Sequence, residues 1–400
     1  MISVILPPLP TGAVPRPAPT MIWRIFFPAV SIYSGGMGMW ANDSVLSIFS
    51  GDTEAYFFDS SGRFFAAWDH GWFISQGLSG RSVARRWKGT CREVRPLKPE
   101  EIRRLVEKSK TVLQTAGPGP SPDANRWLGR ALNYDPTRDA AAYRAVYRPV
   151  GILPPDQYNA VVVQITEGCG WNRCHFCAFY RGQTYRVKTR EQIAEHIDRV
   201  AAFFGDGLSL RRSIFLGEAS ALGAPSELVA YAMEAAAEKL IPRMPHFRGF
   251  YAFNEAMDSA CRTTADFRAL ARRGLKRVYY GLETGHPELR ARLGKPGTLR
   301  RIEDSIEQAK AAGVKVAVIL LAGAGGRGWA QRHLEESIRF ARRLPLDGGD
   351  IVFISPLHGA DGTSESPLAE AGLAEQIARL RRGIGPPART APYDIREFVY

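Results

Sequence analysis

The sequence predicts an α/β protein built on a parallel sheet, and three observations carry that expectation. Strand-like and helix-like segments alternate six times between Asn159 and Ser355. One strand, Val314–Leu321, is apolar except for Lys315, the pattern of a parallel strand covered on both faces. The spacers are long enough for crossover helices and carry helix-start signals, such as Thr189 followed three residues later by Gln192. Such alternation implies a sheet that is either doubly wound or curled into a barrel.

Bulk properties agree with one large α/β unit plus an accessory segment. At 400 residues, 45% hydrophobic and 23% charged, the chain can bury a sizeable core without disulfide or metal staples. Five cysteines are few, and three of them crowd into one short segment while Cys91 and Cys261 stand alone. With no export signal in view, that pattern indicates a metal site in a reducing compartment, so the protein is expected to be cytoplasmic. Ile22–Val30 is apolar but interrupted by Arg24 and Pro28, too short to span a bilayer. The net charge is +13, and residues 81–110 hold eleven Lys or Arg against four acids. Such a stretch either contacts a polyanion such as nucleic acid or forms a solvated, Arg-rich face.

Four regions are expected in order. Residues 1–40 read as a Pro-rich extension without regular structure, because six prolines fall between Pro7 and Pro19; translation starting at Met21, Met37 or Met39 is an open alternative. Residues 41–150 read as a small α+β accessory region and linker. There Ala55–Phe58 and Phe64–Trp68 flank the turn Asp59-Ser60-Ser61-Gly62, and a helix at about 99–115 begins with Pro99 and repeats Ile102, Leu105, Val106 and Leu113 on one face. That face requires a partner, and covering an open side of the barrel is the expected role. A Gly/Pro run from Gly117 to Pro122 marks the linker. Residues 151–360 are the core, with strands at Val161–Thr166, Ser213–Gly217, Gly249–Asn254, Arg277–Glu283, Val314–Leu321 and Ile351–Ser355. Helices follow from Arg190 and at about 225–240, 264–273, 298–312 and 329–344. Residues 361–400 are expected to form a helix and tail packing on the core.

In a parallel sheet the chemistry belongs at the C-terminal strand ends. The first strand runs into Thr166-Glu167-Gly168-Cys169-Gly170-Trp171-Asn172-Arg173-Cys174-His175-Phe176-Cys177. Three thiolates on one loop can each bind one iron of a cubane cluster and leave the fourth iron open. Zinc is the competing reading, but structural zinc takes four ligands, and no second CxxC or HxxxH is present; His175 is wedged between two ligating neighbours. A basic nucleic-acid-binding protein with zinc on this loop, stacking bases on Trp87 or Trp127, is the alternative of a different class.

The segment resembles the signature loop of the radical S-adenosylmethionine (SAM) superfamily, in a variant with four residues rather than the commoner three between the first two cysteines. The resemblance covers roughly residues 150–360. It implies a partial (β/α)6 barrel of TIM type, a [4Fe–4S] cluster on Cys169, Cys174 and Cys177, and SAM bound at the open iron. It also implies an oxygen-sensitive enzyme that takes an electron from a donor such as flavodoxin or ferredoxin. Reductive cleavage of SAM would give a 5′-deoxyadenosyl radical that abstracts hydrogen from a substrate. Phe176 would pack near the adenine. Gly217-Glu218 resembles the family's "GGE" position, which receives the SAM ammonium, although only one glycine precedes the acid here. Glu283, in Gly281-Leu282-Glu283-Thr284-Gly285, would accept from ribose hydroxyls; a structural ion pair is its other reading. Gly323, in the glycine-rich end of strand five, would line the adenine side. Arg181, Tyr185, Arg186 and Lys188 are candidates to pair with the SAM carboxylate or the cluster's charge, and Ser355 or His358 to face substrate. A cobalamin domain is not expected, since no D-x-H-x-x-G stands in the N-terminal segment, and no catalytic residue beyond these contacts is indicated.

Overall fold

A computed structural model describes residues 31–33, 36–88, 91–119, 121–219, 221–255, 262–359 and 366–400. Cys261 and residues 1–30 fall outside that set, so Ile22–Val30 and most of the Pro-rich extension are not described. Among the described residues, no helix is long and apolar enough to cross a membrane.

The accessory region is larger than its sequence suggests. Eight antiparallel strands form a meander in which each pairs with the next: β1 (Ser31–Tyr33), β2 (Met37–Ala41), β3 (Val45–Ser50), β4 (Glu54–Asp59), β5 (Phe64–Asp69), β6 (Trp72–Gln76), β7 (Ser82–Lys88) and β8 (Cys91–Pro96). β1 and β2 lie within the expected extension, and Met39 is fully buried. The expected hairpin forms between β4 and β5, where the Asp59 carboxylate accepts from the Ser61 and Arg63 amides at 2.9 and 3.0 Å. Side-chain alternation then divides the sheet. Leu46, Ile48, Tyr56 and Phe58 face α1 (Pro99–Ala116), meeting its Ile102, Leu105, Val106 and Leu113. Val45, Phe49, Ala55 and Phe57 face the other way and pack with Leu210 of the following domain. The apolar face of α1 is therefore covered by its own sheet and not by the barrel; the sheet makes the contact instead.

Two further helices occupy what reads as linker: α2 (Pro122–Leu132), capped by Ser121, and α3 (Pro136–Val146), capped by Asp135. Both use proline in the first turn, where its missing N–H is no loss. The basic stretch is largely committed within the molecule. Arg85 and Arg92 pair with Glu397 at 3.7 and 3.0 Å, Arg95 pairs with Glu101 at 2.9 Å, and the Arg86 guanidinium lies 4.2 Å from the Trp72 ring centre.

The second sheet contains seven strands in unbroken chain order, all parallel: β9 (Val161–Gln164), then β12 (Ile214–Gly217), β13 (Phe250–Phe253), β14 (Leu275–Glu283), β15 (Lys315–Ala322), β16 (Ile351–Pro356) and β17 (Arg389–Pro392). A two-stranded hairpin, β10 (Thr166–Glu167) with β11 (Arg186–Val187), lies between the first two. The crossovers carry α4 (Arg190–Phe204), α5 (Ser226–Leu240), α6 (Thr264–Arg272), then the short α7 (Pro287–Arg292) with α8 (Leu299–Ala311), then α9 (Gly326–Arg343) and α10 (Glu370–Ile384). An order without reversal has no doubly wound switch point, and right-handed crossovers put every helix on one face. The sheet is thus a partial barrel, with seven strands where six were expected. β17 escapes a hydrophobic scan because Arg389-Thr390-Ala391-Pro392 is a half-exposed edge. The free edge of β9 is met by tyrosines: the Tyr147 hydroxyl donates to Val162 O at 3.0 Å, and the Val162 amide donates to the Tyr400 hydroxyl at 2.8 Å.

Candidate functional site

The cysteine loop leaves the C-terminal end of β9 and is closed at its base by the β10–β11 hairpin. Its shape is held mostly by bonds to backbone carbonyls. Asn172, at φ +49°, donates its side-chain amide to Tyr180 O at 2.7 Å, and its backbone amide points at Cys169 Sγ, 3.4 Å away. Arg181 donates to Cys177 O and His175 O at 3.1 and 2.8 Å, so it is spent on the loop and not on a ligand. The segment after α7 holds the loop from the other side. The Trp171 indole donates to Gly294 O at 2.5 Å and the His175 amide to Leu293 O at 3.0 Å. A Cβ at Gly294 would stand 2.7 Å from Arg173 O, so this close approach requires glycine.

All three thiols are partly buried and none is in a disulfide. Burial pushes the Cys174 thiol up to about 12 and raises Cys177 as well, so a bound metal would be needed to hold them as thiolates. Among the described residues, the group of three metal-ligand types with donor atoms all within 4.8 Å is Glu54, Asp69 and His70, not the cysteines. Zinc ligands at about 2.3 Å in a tetrahedron stand roughly 3.8 Å apart. A wider spread suits a cubane, in which each thiolate binds a different iron. His175 is exposed beside Gly294.

Glu218 stands just beyond β12 and is only 4% exposed. Its amide donates to Thr166 Oγ1 at 3.0 Å, and its Oε1 accepts from the Gln164 side chain at the end of β9. Oε2 is buried without a hydrogen-bond partner of ordinary geometry. Burial, only partly countered by Gln164, Tyr180 and Lys188, pushes this carboxyl up to about 8. Tyr180 interacts electrostatically with Glu218, Cys169 and Cys177, which places the acid beside the cysteine loop. A buried carboxyl with an orphaned oxygen next to three thiols is a fitting receiver for an ammonium group.

Glu283 ends β14 at φ +62°, where the pairing with β15 slips by one residue after Gly281. Its carboxylate is not free. Lys295 Nζ lies 3.4 Å from it and 3.2 Å from Glu255, and burial raises the Glu283 carboxyl while Lys295 opposes the rise. A Cβ on Gly281 would meet both Glu283 Oε1 at 2.6 Å and Lys295 Nζ at 2.7 Å, so the glycine makes room for the triad. Lys295 also acts electrostatically on Cys174. Glu283 is therefore an ion-paired acid bordering the cysteine loop, the second of its two sequence readings, and the pair leaves carboxylate lone pairs for a hydroxyl donor.

The remaining expected positions divide. Phe176, with Trp329 and Leu357, packs against a buried cluster of Leu289, Leu293, Leu321 and Ala324, between α7 and the end of β15. Gly217 lies against Val162, where a Cβ would come within 2.9 Å of Cγ1. Gly323, at φ +90°, gives its amide to Gln376 Oε1 at 2.7 Å beneath α10, so that amide is already engaged. His358 pairs with Asp394 at 3.1 Å, and Arg186 pairs with Glu167 at 3.0 Å. Sequence reasoning missed Gln164, Tyr180 and Lys295. Gln164 had a readable signal, as a polar residue closing an otherwise apolar strand; the other two sit in irregular loops where periodicity is silent.

A parallel partial barrel with three thiols on its first loop and a buried acid on its second defines a class. Residues 163–341 match the family model of the radical SAM superfamily, and the chain carries a radical SAM domain. The hopanoid C-3 methylase of Methylococcus capsulatus is 24% identical over 259 residues, 62% of this chain and 43% of that protein. Two solved structures share the likeness at low similarity. The cobalamin-dependent SAM radical enzyme OxsB, with aqua-cobalamin and SAM bound, is 18% identical at a TM-score of 0.37, covering 57% of this chain and 30% of its own. Coproporphyrinogen III oxidase (HemN) of Escherichia coli is 13% identical at 0.43, covering 61% and 56%. The chain thus spans less than half of the methylase and only part of each solved enzyme.

Proposed function

We propose that this chain is a radical SAM enzyme in which Cys169, Cys174 and Cys177 hold a [4Fe–4S] cluster with one open iron. The observation that carries the reading is the buried, half-satisfied Glu218 carboxyl standing beside the three-thiol loop. Once reduced by a donor of the flavodoxin or ferredoxin kind, a bound cluster supplies the electron that splits SAM into methionine and a 5′-deoxyadenosyl radical, which takes hydrogen from the substrate.

The chain's own residues bind, orient and exclude water. Glu218 Oε2 receives the SAM ammonium, and that positive charge draws the carboxyl down from about 8 into its ionised form. Gln164 and Tyr180 fix the acid's direction. Phe176 and its apolar neighbours form a dry wall for the adenine. Glu283 serves the ribose side while held by Lys295, whose positive charge also favours the anionic loop of thiolates. Anaerobic incubation of the iron-loaded chain with SAM and dithionite should release 5′-deoxyadenosine. A loaded cluster that yields none would overturn the proposal.

A further inference from the structure

A cavity of about 670 Å³ opens beside β9, outside the thiol loop and between α3, α4, the β10–β11 hairpin and the C-terminal residues. Its lining carries six cations, Arg81, Arg144, Arg148, Arg186, Lys188 and Arg199, against two acids, Glu167 and Glu195. The floor is aromatic: Tyr143 and Tyr147 stack at 5.0 Å, with Tyr400 packed edge-on against both. The charges do not balance. Glu167 is shared by Arg148, Arg186 and Lys188 at 4.0, 3.0 and 3.8 Å, and Glu195 serves Arg199 at 3.6 Å. Arg81 and Arg144 form no ion pair among the described residues.

Lys188 is the telling member. Its side chain is 9% exposed, its closest acid lies beyond hydrogen-bond distance, and burial lowers its affinity for the proton. Lys188 lines the cavity with an ion partner but no hydrogen-bonded acid, so an anion entering the cavity would give its ammonium a charge-assisted bond. The arrangement resembles small-molecule sites in size, with convergent charge above an apolar floor.

We propose that this cavity binds a small, multiply charged oxyanion, phosphate- or carboxylate-bearing, on an apolar or aromatic body. Lys188 is its buried anchor, and Arg81 and Arg144 close over it from the rim. Gln164 lines the cavity and also bonds Glu218, so the anion lies one side chain away from the proposed SAM ammonium site. Gln164 and Lys188 act on Glu218 as well as lining the cavity, but the anion site does not rest on the SAM reading.

Calorimetric titration of the iron-loaded full chain with inorganic pyrophosphate and, separately, with citrate tests this. Binding of at least one is expected, weakening as salt is raised. Lys188→Gln should lower affinity roughly tenfold or more, and Arg81→Gln with Arg144→Gln several-fold, since each removes a charge-assisted contact. Arg300→Gln, on the far surface, should change nothing, and circular dichroism should show all variants folded. Preference for pyrophosphate assigns a phosphoryl ligand, and preference for citrate a carboxylate. No binding of either anion at about 10 mM, unchanged affinity in Lys188→Gln, or displacement of the anion by SAM would overturn the separate site.

Discussion

Two acids at the C-terminal edge of the same sheet, Glu218 after β12 and Glu283 at the end of β14, have opposite environments. Glu283 is matched: Lys295 lies between it and Glu255, and Gly281 leaves space for all three. Glu218 forms no ion pair among the described residues: Gln164 and Tyr180 are its side-chain partners, one oxygen lacks a hydrogen bond of ordinary geometry, and the carboxyl is held largely protonated near neutrality. A matched buried charge supports the fold around a site, whereas an unmatched one marks where a ligand completes it.

The largest effect that separates them is expected at Lys295. Lys295→Met leaves two acids without their cation and should cost about 3–5 kcal/mol of stability, the range for breaking a buried pair. Adding Glu283→Gln should restore part of that loss in thermal unfolding. A Lys295→Met variant as stable as wild type would show that the triad is not holding the β14 end.

Glu218→Gln should behave differently. It keeps a hydrogen-bonding side chain beside Gln164 but removes the charge proposed to meet the SAM ammonium. SAM affinity should fall on the order of 10- to 100-fold, the cost of losing one charged partner, while iron content stays at the wild-type level. Equilibrium binding with the iron-loaded variant measures both. Unchanged affinity would transfer the ammonium site elsewhere.

A smaller effect follows from pH. The Glu218 carboxyl rises from about 4.5 in the unfolded chain to about 8 in the fold. Its stabilising contribution is therefore complete below the lower value and lost as pH rises through the upper one. Without SAM, the stability of Glu218→Gln relative to wild type should grow steadily between pH 5 and pH 8, by about 1 kcal/mol per pH unit. Denaturant melts at the two pH values would reveal it; a constant difference would contradict the burial argument.

Legibility from sequence follows the same division between regular and irregular structure. The core strands were readable because runs such as 161–163 and 316–322 are apolar and buried throughout. The cysteine loop was readable because its spacing is chemical and local. β17 was not, since its four residues are partly polar and its pairing with β16 is decided by distant sequence. The start of α9 was read three residues late, because Gly326 and Gly328 suggest loop yet occupy its first turn. The partners of Glu283 were hidden for a related reason: Lys295 reaches it from a loop twelve residues on, which no periodicity connects. The eight-stranded meander was only partly seen, because β1 and β2 fall beside a proline-rich stretch and β7 and β8 carry much of the positive charge.

The central claim is that the three-thiol loop, and no other cysteine, binds the cluster. Iron and sulfide content after anaerobic reconstitution tests it most directly, compared across single alanine replacements of all five cysteines. Cys169→Ala, Cys174→Ala and Cys177→Ala should each fail to retain a cluster, whereas Cys91→Ala and Cys261→Ala should load like wild type. Equal iron in all five variants, or loss in either of the last two, would contradict the account.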